Sequence, residues 1–267
     1  MKKYLIDTHA HLDFGSSGED NAERQATDKE IKNNLVLMKE YGVEKVIIPA
    51  VEANALERII EISNKFENVY SMVGIFPSEA KTYTEEIEKK MEKLACENKK
   101  VVAVGEVGLD YYWDKSFNDI QQDVFRRQIR LANRLNLPLV VHDREAHKDT
   151  FDILKEENKS SKVLFHCFSG SVEFMRECVK EGWYIALGGV VTFKNAIKMK
   201  EVAEEVPIDK LVLETDSPYL TPVPFRGKPN KPAYVKYVAE EIAKLRGTSF
   251  EEIAYITSTN AEIIFSL

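Results

Sequence analysis

Cysteine is scarce: Cys96, Cys167 and Cys178 are the three present, widely separated and without a Cys-x-x-Cys pair. That excludes a disulfide framework and a zinc ribbon, and suits a reducing cytoplasm. Long apolar runs are missing as well. Every apolar stretch is soon interrupted by charge, whereas a membrane-spanning helix needs about 20 predominantly apolar residues. The opening Met1-Lys2-Lys3-Tyr4-Leu5-Ile6-Asp7 holds two lysines and few apolar residues before an acid, so no secretory h-region is expected. The anticipated setting is soluble and cytoplasmic, with no membrane and no obligate protein partner. Excess positive charge is lacking too, the formal net charge being -7. This argues against coating nucleic acid through a broad basic face, although acids that hold metal ions contribute to that total. Low-complexity tracts, repeats and linkers are absent, and the 12 glycines and 9 prolines are scattered as punctuation. One domain over residues 1–267 is expected.

What is present is a regular alternation. Short apolar runs recur at Leu5–Asp7, Lys45–Val51, Val69–Ile75, Val101–Val104, Leu137–Val141, Val163–Phe165, Tyr184–Leu187 and Leu211–Leu213. Most are continuous rather than alternating, the pattern of strands buried on both faces of a parallel sheet. Between them lie amphipathic segments near Asp28–Tyr41, Ala53–Phe66, Glu85–Glu97, Asn118–Leu135, Lys148–Glu156, Val172–Lys180 and Asn195–Glu205. Thr27 with Glu30 and Thr82 with Glu85 have capping-box spacing, and Gly42 and Gly182 stand where left-handed caps are wanted. Two further helical patterns, Pro232–Arg246 and Phe250–Phe265, follow the last strand, broken at Gly247 and restarted by Ser249-x-x-Glu252. The expected fold is α/β, a single closed parallel (β/α)8 TIM barrel with an additional C-terminal helix. An open doubly wound sheet is the alternative.

Metal-competent side chains fall at the C-terminal ends of these strands: His9 and His11 after the first, Glu106 after the fourth, His142 after the fifth, His166 after the sixth and Asp216 after the eighth. In a barrel those ends converge on one rim, where active sites of this architecture are built. Four of the five histidines are among them. His9-Ala10-His11, if extended, projects both imidazoles to one side. Six nitrogen and oxygen donors exceed what one catalytic ion needs while keeping an open position, so two divalent ions sharing Glu106 are expected. Imidazole suits Zn or Mn and carboxylate suits Mg or Mn, which leaves the metal open.

The segments Asp7-Thr8-His9-Ala10-His11-Leu12, Gly105-Glu106-Val107-Gly108-Leu109-Asp110-Tyr111-Tyr112, Val141-His142-Asp143-Arg144, His166-Cys167-Phe168-Ser169-Gly170 and Leu213-Glu214-Thr215-Asp216-Ser217-Pro218, with Arg226-Gly227-Lys228, resemble in order the motifs of the TatD family of metal-dependent deoxyribonucleases. The resemblance runs from Asp7 to about Asn260. It implies an amidohydrolase-like barrel that cleaves phosphodiester bonds of DNA through a metal-activated water, as an exonuclease. It also implies that His9, His11 and Asp216 hold one ion and His142 and His166 the other, that Glu106 touches both, and that Asp216 accepts a proton from the attacking water. Catalytic roles thus fall to Glu106 and Asp216.

Around the set, Arg144, His147 and Arg226 are candidate phosphate contacts, with Lys228 beside them. Glu214 reads as an acid orienting a ligand or as a salt-bridge partner. Ser169-Gly170-Ser171 reads as a helix cap before an anion site, Tyr111-Tyr112-Trp113 as packing before base stacking, and Cys167 as a buried thiol on the opposite strand face from His166. The rivals are a hydrolase of small amides, lactones or phosphoesters using the same metal pair, and a non-catalytic metal-binding scaffold. Against the first, no lysine at an expected strand end offers a carbamylated bridge. Against the second, ligands at strand ends imply an open site.

Overall fold

The continuous apolar runs become strands buried on both faces: β1 (Leu5–Asp7), β2 (Val43–Pro49), β3 (Val69–Val73), β4 (Val101–Asp110), β5 (Leu139–Arg144), β6 (Val163–Phe165), β7 (Tyr184–Leu187) and β8 (Leu211–Leu213). They pair in parallel in chain order in one 8-stranded sheet. This is a computed structural model that describes residues 4–15 and 25–267; the reading of Met1, Lys2 and Lys3 lies outside the described residues. The helices are α1 (Asp28–Glu40), α2 (Leu56–Lys65), α3 (Glu85–Glu97), α4 (Asn118–Leu135), α5 (His147–Glu157), α6 (Val172–Lys180), α7 (Ile197–Glu205), α8 (Val235–Arg246) and α9 (Phe250–Phe265).

The sheet curls into a nearly closed barrel. Its last seam is carried by residues just beyond β1 and β8: Thr8 N donates to Leu213 O (3.1 Å), Asp216 N to His9 O (2.9 Å), and Ala10 bridges Ser217 in parallel. The barrel interior is filled by Ile6, Ile47, Met72, Val102, Val140, Leu164, Ala186 and Val212, one or more from every strand. Below them α9 closes the N-terminal end with Ala261, Ile264 and Phe265. Outside, the other strand faces pack against the helices, where side chains such as Phe125, Ile59, Phe165 and Ile31 are fully buried. Each such side chain stabilises by about 1.5–3 kcal/mol.

Thr27 and Glu30 form the expected capping box, Ser249 accepts from Glu252 N at the head of α9, and Gly42, Gly182 and Gly247 have positive φ. The box expected at Thr82 and Glu85 does not form. A 3-10 turn over Pro77–Thr82 draws the Thr82 hydroxyl back to Glu79 O (2.8 Å), and Thr84 caps α3 by accepting from Ile87 N. β4 is longer than its apolar run, because it continues through Glu106 to Asp110 alongside β5. Among the described residues, no helix is long and apolar enough to cross a membrane.

Candidate metal centre

The period of two along a strand carries the apolar interior into a polar rim. Val140, Leu164 and Val212 face inward, and two residues on stand His142, His166 and Glu214. The ladder persists that far: His166 N donates to Val141 O (3.0 Å) and Glu214 N to Leu187 O (3.2 Å). Glu106 follows Val102 by four residues, through a register shift between Val104 and Val107. His9 and His11 flank the buried Ala10, and His11 N donates to Ser217 O (2.8 Å), so their segment is zipped to the one bearing Asp216.

Asp7 ties these two segments from beneath. Its Oδ1 accepts from His9 N (3.2 Å) and Thr215 N (2.9 Å), and its Oδ2 from Thr215 Oγ1 (2.6 Å). Burial pushes this carboxyl well above the usual carboxylate range, against the hydrogen bonds from Thr215 and His9. The sequence reading gave Asp7 no role, although it shares the strand parity of His9 and His11.

All six expected donors meet at one place. Glu106 Oε2 lies 3.2 Å from His9 Nε2, while its Oε1 lies 3.0 Å from His142 Nδ1 and 2.9 Å from His166 Nε2. Asp216 Oδ1 lies 3.4 Å from His11 Nε2 and 3.9 Å from His9 Nε2. His9 stacks on His166 with centroids 3.9 Å apart. Among the described residues, metal-competent groups form as His9, His11 and Glu106, as Glu106, His142 and His166, and as His9, His166 and Glu214. The side chain of Glu106 is 4% exposed and that of Asp216 17%, so Asp216 is the more open acid.

Charge is tightly coupled here. Burial acts to raise Glu106, but His166, His9 and His142 outweigh it and hold the carboxyl well below its usual range. Asp216 is likewise lowered, burial being overcome by His11, His166 and His9. Burial and the neighbouring His166 lower His9, whereas His166 rises well above the imidazole range because Glu106 and Glu214 overcome its burial. The donors fit a cation. His9 Nε2 is buried without a hydrogen-bond partner, since its contact with Glu106 lacks hydrogen-bond geometry, and His9 Nδ1 and His11 Nδ1 are in the same state. Clustered imidazole and carboxylate lone pairs facing one space are what divalent Zn or Mn takes as ligands.

Two acids outside the set face its members, and one of them, Asp110, is hydrogen-bonded to His142. Asp110 Oδ2 lies 3.0 Å from His142 Nε2, and Glu214 Oε1 lies 3.5 Å from His166 Nδ1 while accepting from Cys167 N (2.6 Å). Among the described residues, Glu214 thus faces an imidazole of the cluster rather than a lysine or arginine. Asp110 had no role in the sequence reading, and its signal was strand parity: it stands four residues after Glu106 on the same strand.

Arg144 ends β5 and packs its guanidinium over Tyr112 (3.9 Å to the ring centroid) and Trp113 (5.4 Å). His147 is already engaged: it opens α5, holds Asp143 Oδ2 through Nδ1 (2.6 Å) and stacks on Phe174. Arg226 lies over Phe193 (3.9 Å), and both it and Lys228 are exposed. None of Arg144, His147 and Arg226 makes a side-chain hydrogen bond or ion pair with the six-residue cluster. Ser171 caps α6, accepting from Phe174 N (3.3 Å), as expected. The packing reading holds for Tyr111, which is buried with its hydroxyl on Asp149, but not for Tyr112 and Trp113, which are exposed. Cys167 does not continue the strand alternation, because β6 has ended and Cys167 has φ 43°; the residue is partly buried, and burial with Asp216, Glu214 and Glu106 pushes its thiol well up.

Residues 6–266 match the family model described as TatD related DNase. The chain belongs to the TatD family. Its relatives include the uncharacterized metal-dependent hydrolase YabD of Bacillus subtilis, 47% identical over 98% of this chain and 99% of that one. The uncharacterized metal-dependent hydrolase YcfH of Escherichia coli is 35% identical over 99% of this chain and 96% of that one. Among solved structures, the TatD homologue YjjV of Escherichia coli superposes with TM-score 0.89 at 30% identity, covering 100% of both chains. Membership in this family of metal-dependent hydrolases accounts for a polar rim on an otherwise apolar barrel. An organophosphorus hydrolase of Deinococcus radiodurans, at 13% identity and TM-score 0.64, shares the fold.

Proposed function

We propose that this TatD-family hydrolase cleaves phosphodiester bonds of DNA, removing nucleotides from a strand end, with two divalent ions held at the rim of one barrel domain spanning residues 1–267. His9, His11 and Asp216 would hold one ion, His142 and His166 the other, and Glu106 would touch both. The observation that carries this reading is the division of Glu106 itself, with Oε2 3.2 Å from His9 and Oε1 2.9 Å from His166. Zn, Mn or Mg ions bound there supply the positive charge that polarises a phosphoryl oxygen and makes a water acidic.

The chain's own groups do the rest. Glu106, kept ionised by three imidazoles, lies between the two donor sets as a fixed negative charge. Asp216, also ionised and the more open of the two acids, accepts at its carboxylate the proton released as water attacks phosphorus. Arg144 would offer its planar fork to a phosphate at the rim, and His147 and Arg226 would meet phosphates beyond the one attacked. The description of the matching family model supports DNA as the substrate. The cysteines, all free, fit a cytoplasmic setting.

The test is release of nucleotides from end-labelled single-stranded DNA by metal-stripped protein resupplied with Mg, Mn or Zn, beside Glu106→Ala. Metal-dependent release that disappears in the variant is expected. Folded, metal-loaded protein that releases nothing with any ion would refute the DNA assignment.

A further inference from the structure

Tyr112 and Trp113 follow β4 directly and are 48% and 74% exposed, their rings edge to face with centroids 4.8 Å apart. The backbone that carries them is tied down by hydrogen bonds. Tyr112 N donates to Asp110 Oδ1 (2.9 Å), while the other oxygen of Asp110 faces His142 Nε2 (3.0 Å). Tyr111 N donates to Arg144 O (2.9 Å), and the Tyr111 hydroxyl is held by Asp149 and Gln122. Just after Trp113, Asp114 Oδ1 accepts from Ser116 N (2.8 Å) in a tight turn. The aromatic pair is thus presented outward from a backbone pinned to the partner of His142.

Arg144 completes the arrangement. Its guanidinium covers the Tyr112 ring and, among the described residues, has no hydrogen-bond or ion-pair partner, so its donors are uncommitted. A guanidinium packed flat on a ring keeps its in-plane N–H groups for an anion, and an exposed indole face accepts a second flat ring. A nucleic acid strand offers these two chemistries in alternation, phosphate then base. A base within a duplex has both faces covered by its stack neighbours, so only an unstacked base can use the indole.

We infer that Trp113, backed by Tyr112 and Arg144, is a stacking site for one nucleobase of the substrate strand, next to the phosphate held at the metal centre. The inference deepens the phosphodiesterase reading and rests on it. Trp113 positions the substrate and takes no part in proton transfer.

The test uses the metal-loaded protein with three end-labelled oligonucleotides: one intact, one with a tetrahydrofuran abasic residue on the 5′ side of the scissile bond, and one with it on the 3′ side. Trp113→Ala is expected to lower kcat/KM on the intact strand by about tenfold or more. It should change little on one of the two abasic strands, which has already lost the stack. An equal loss on all three strands would overturn the inference. Fluorescence separates this from failure of the phosphodiesterase reading. Trp183, the other tryptophan, is buried, so quenching by dAMP reports Trp113. Wild type is expected to be quenched by dAMP and not by deoxyribose 5-phosphate, and Trp113→Phe not to be quenched. If no DNA is cleaved but this pattern appears, the stacking site stands and the reaction assignment falls. Absence of dAMP quenching, or equal quenching by the sugar phosphate, sinks the stacking site.

Discussion

Replacing Asp110 with asparagine tests how the centre is held without touching any expected ligand. His142 presents Nδ1 to Glu106 Oε1 (3.0 Å) and Nε2 to Asp110 Oδ2 (3.0 Å). A ligating nitrogen must be unprotonated, so with Nδ1 turned inward the ring proton belongs on Nε2, donated to Asp110. The other oxygen of Asp110 already accepts from Tyr112 N (2.9 Å). Asparagine keeps the volume but has one acceptor for those two donors, so one bond is lost whichever way the amide turns. A hydrogen bond to a charged group contributes about 1.5–3 kcal/mol, and loss of such a partner typically weakens metal binding about 10- to 100-fold. Calorimetric titration of metal-stripped Asp110→Asn with Mn or Zn should show one binding step weakened by that factor. The step assigned to His9 and His11 should move far less, while the melting temperature falls by several degrees, roughly 2–4 °C per kcal/mol lost. Two unaltered steps would refute the reasoning, as would an equal loss in both.

Gly108→Ala should destabilise severely, because Gly108 has φ 142° and an added Cβ would lie 2.0 Å from His142 O. Gly42→Ala, with φ 75° and nothing within 4 Å, should cost only about 1–2 kcal/mol; urea midpoints that fail to separate the two would contradict the backbone contact. Glu88 joins α3 to α4 through Arg127 (2.9 Å) and Arg134 (2.9 Å), which outweigh its burial and hold its carboxyl below the usual range. A depressed carboxyl stabilises above its unfolded pKa and loses that contribution as pH falls through its folded value. Glu88→Gln should therefore cost up to about 1 kcal/mol at pH 7 and almost nothing in strong acid, and a pH-independent loss would point to packing instead.

How much of this was legible follows from where side-chain chemistry and strand parity agree. The apolar runs marked all eight strands, and the six polar residues at their ends named the cluster, because a buried strand leaves few places for histidine. The reading failed where a strand continued through polar residues. β4 was cut at Val104 because Glu106 and Asp110 look like loop chemistry, so Asp110, on the same face as Glu106, went unnoticed. The reverse error fell on Cys167, where alternation was assumed past the end of β6 into a residue of positive φ. Thr82 had the right spacing for a cap, but spacing cannot reveal a 3-10 turn that claims its hydroxyl first. Exposure was illegible altogether: nothing in Tyr111-Tyr112-Trp113 says which ring is buried, since that depends on Asp149 and Gln122 reaching Tyr111 from other helices.

Three acids divide the task of holding the rim. Asp110 fixes His142, Glu214 faces His166 while gripping the Cys167 backbone, and Asp7 binds both His9 N and Thr215 N. Burying that many carboxyls is unfavourable unless each is hydrogen-bonded, and the apolar layer beneath them, from Ile6 round to Val212, supplies the stability that tolerates it. Because each acid acts on a different part of the cluster, its removal should disturb one donor set before the others. That is the behaviour of a site positioned by its surroundings. A site whose geometry came from the metal alone would relax as a whole, with no difference between the acids. Glu106 is the exception, since its two oxygens face both sets, and any change there acts on the whole centre at once.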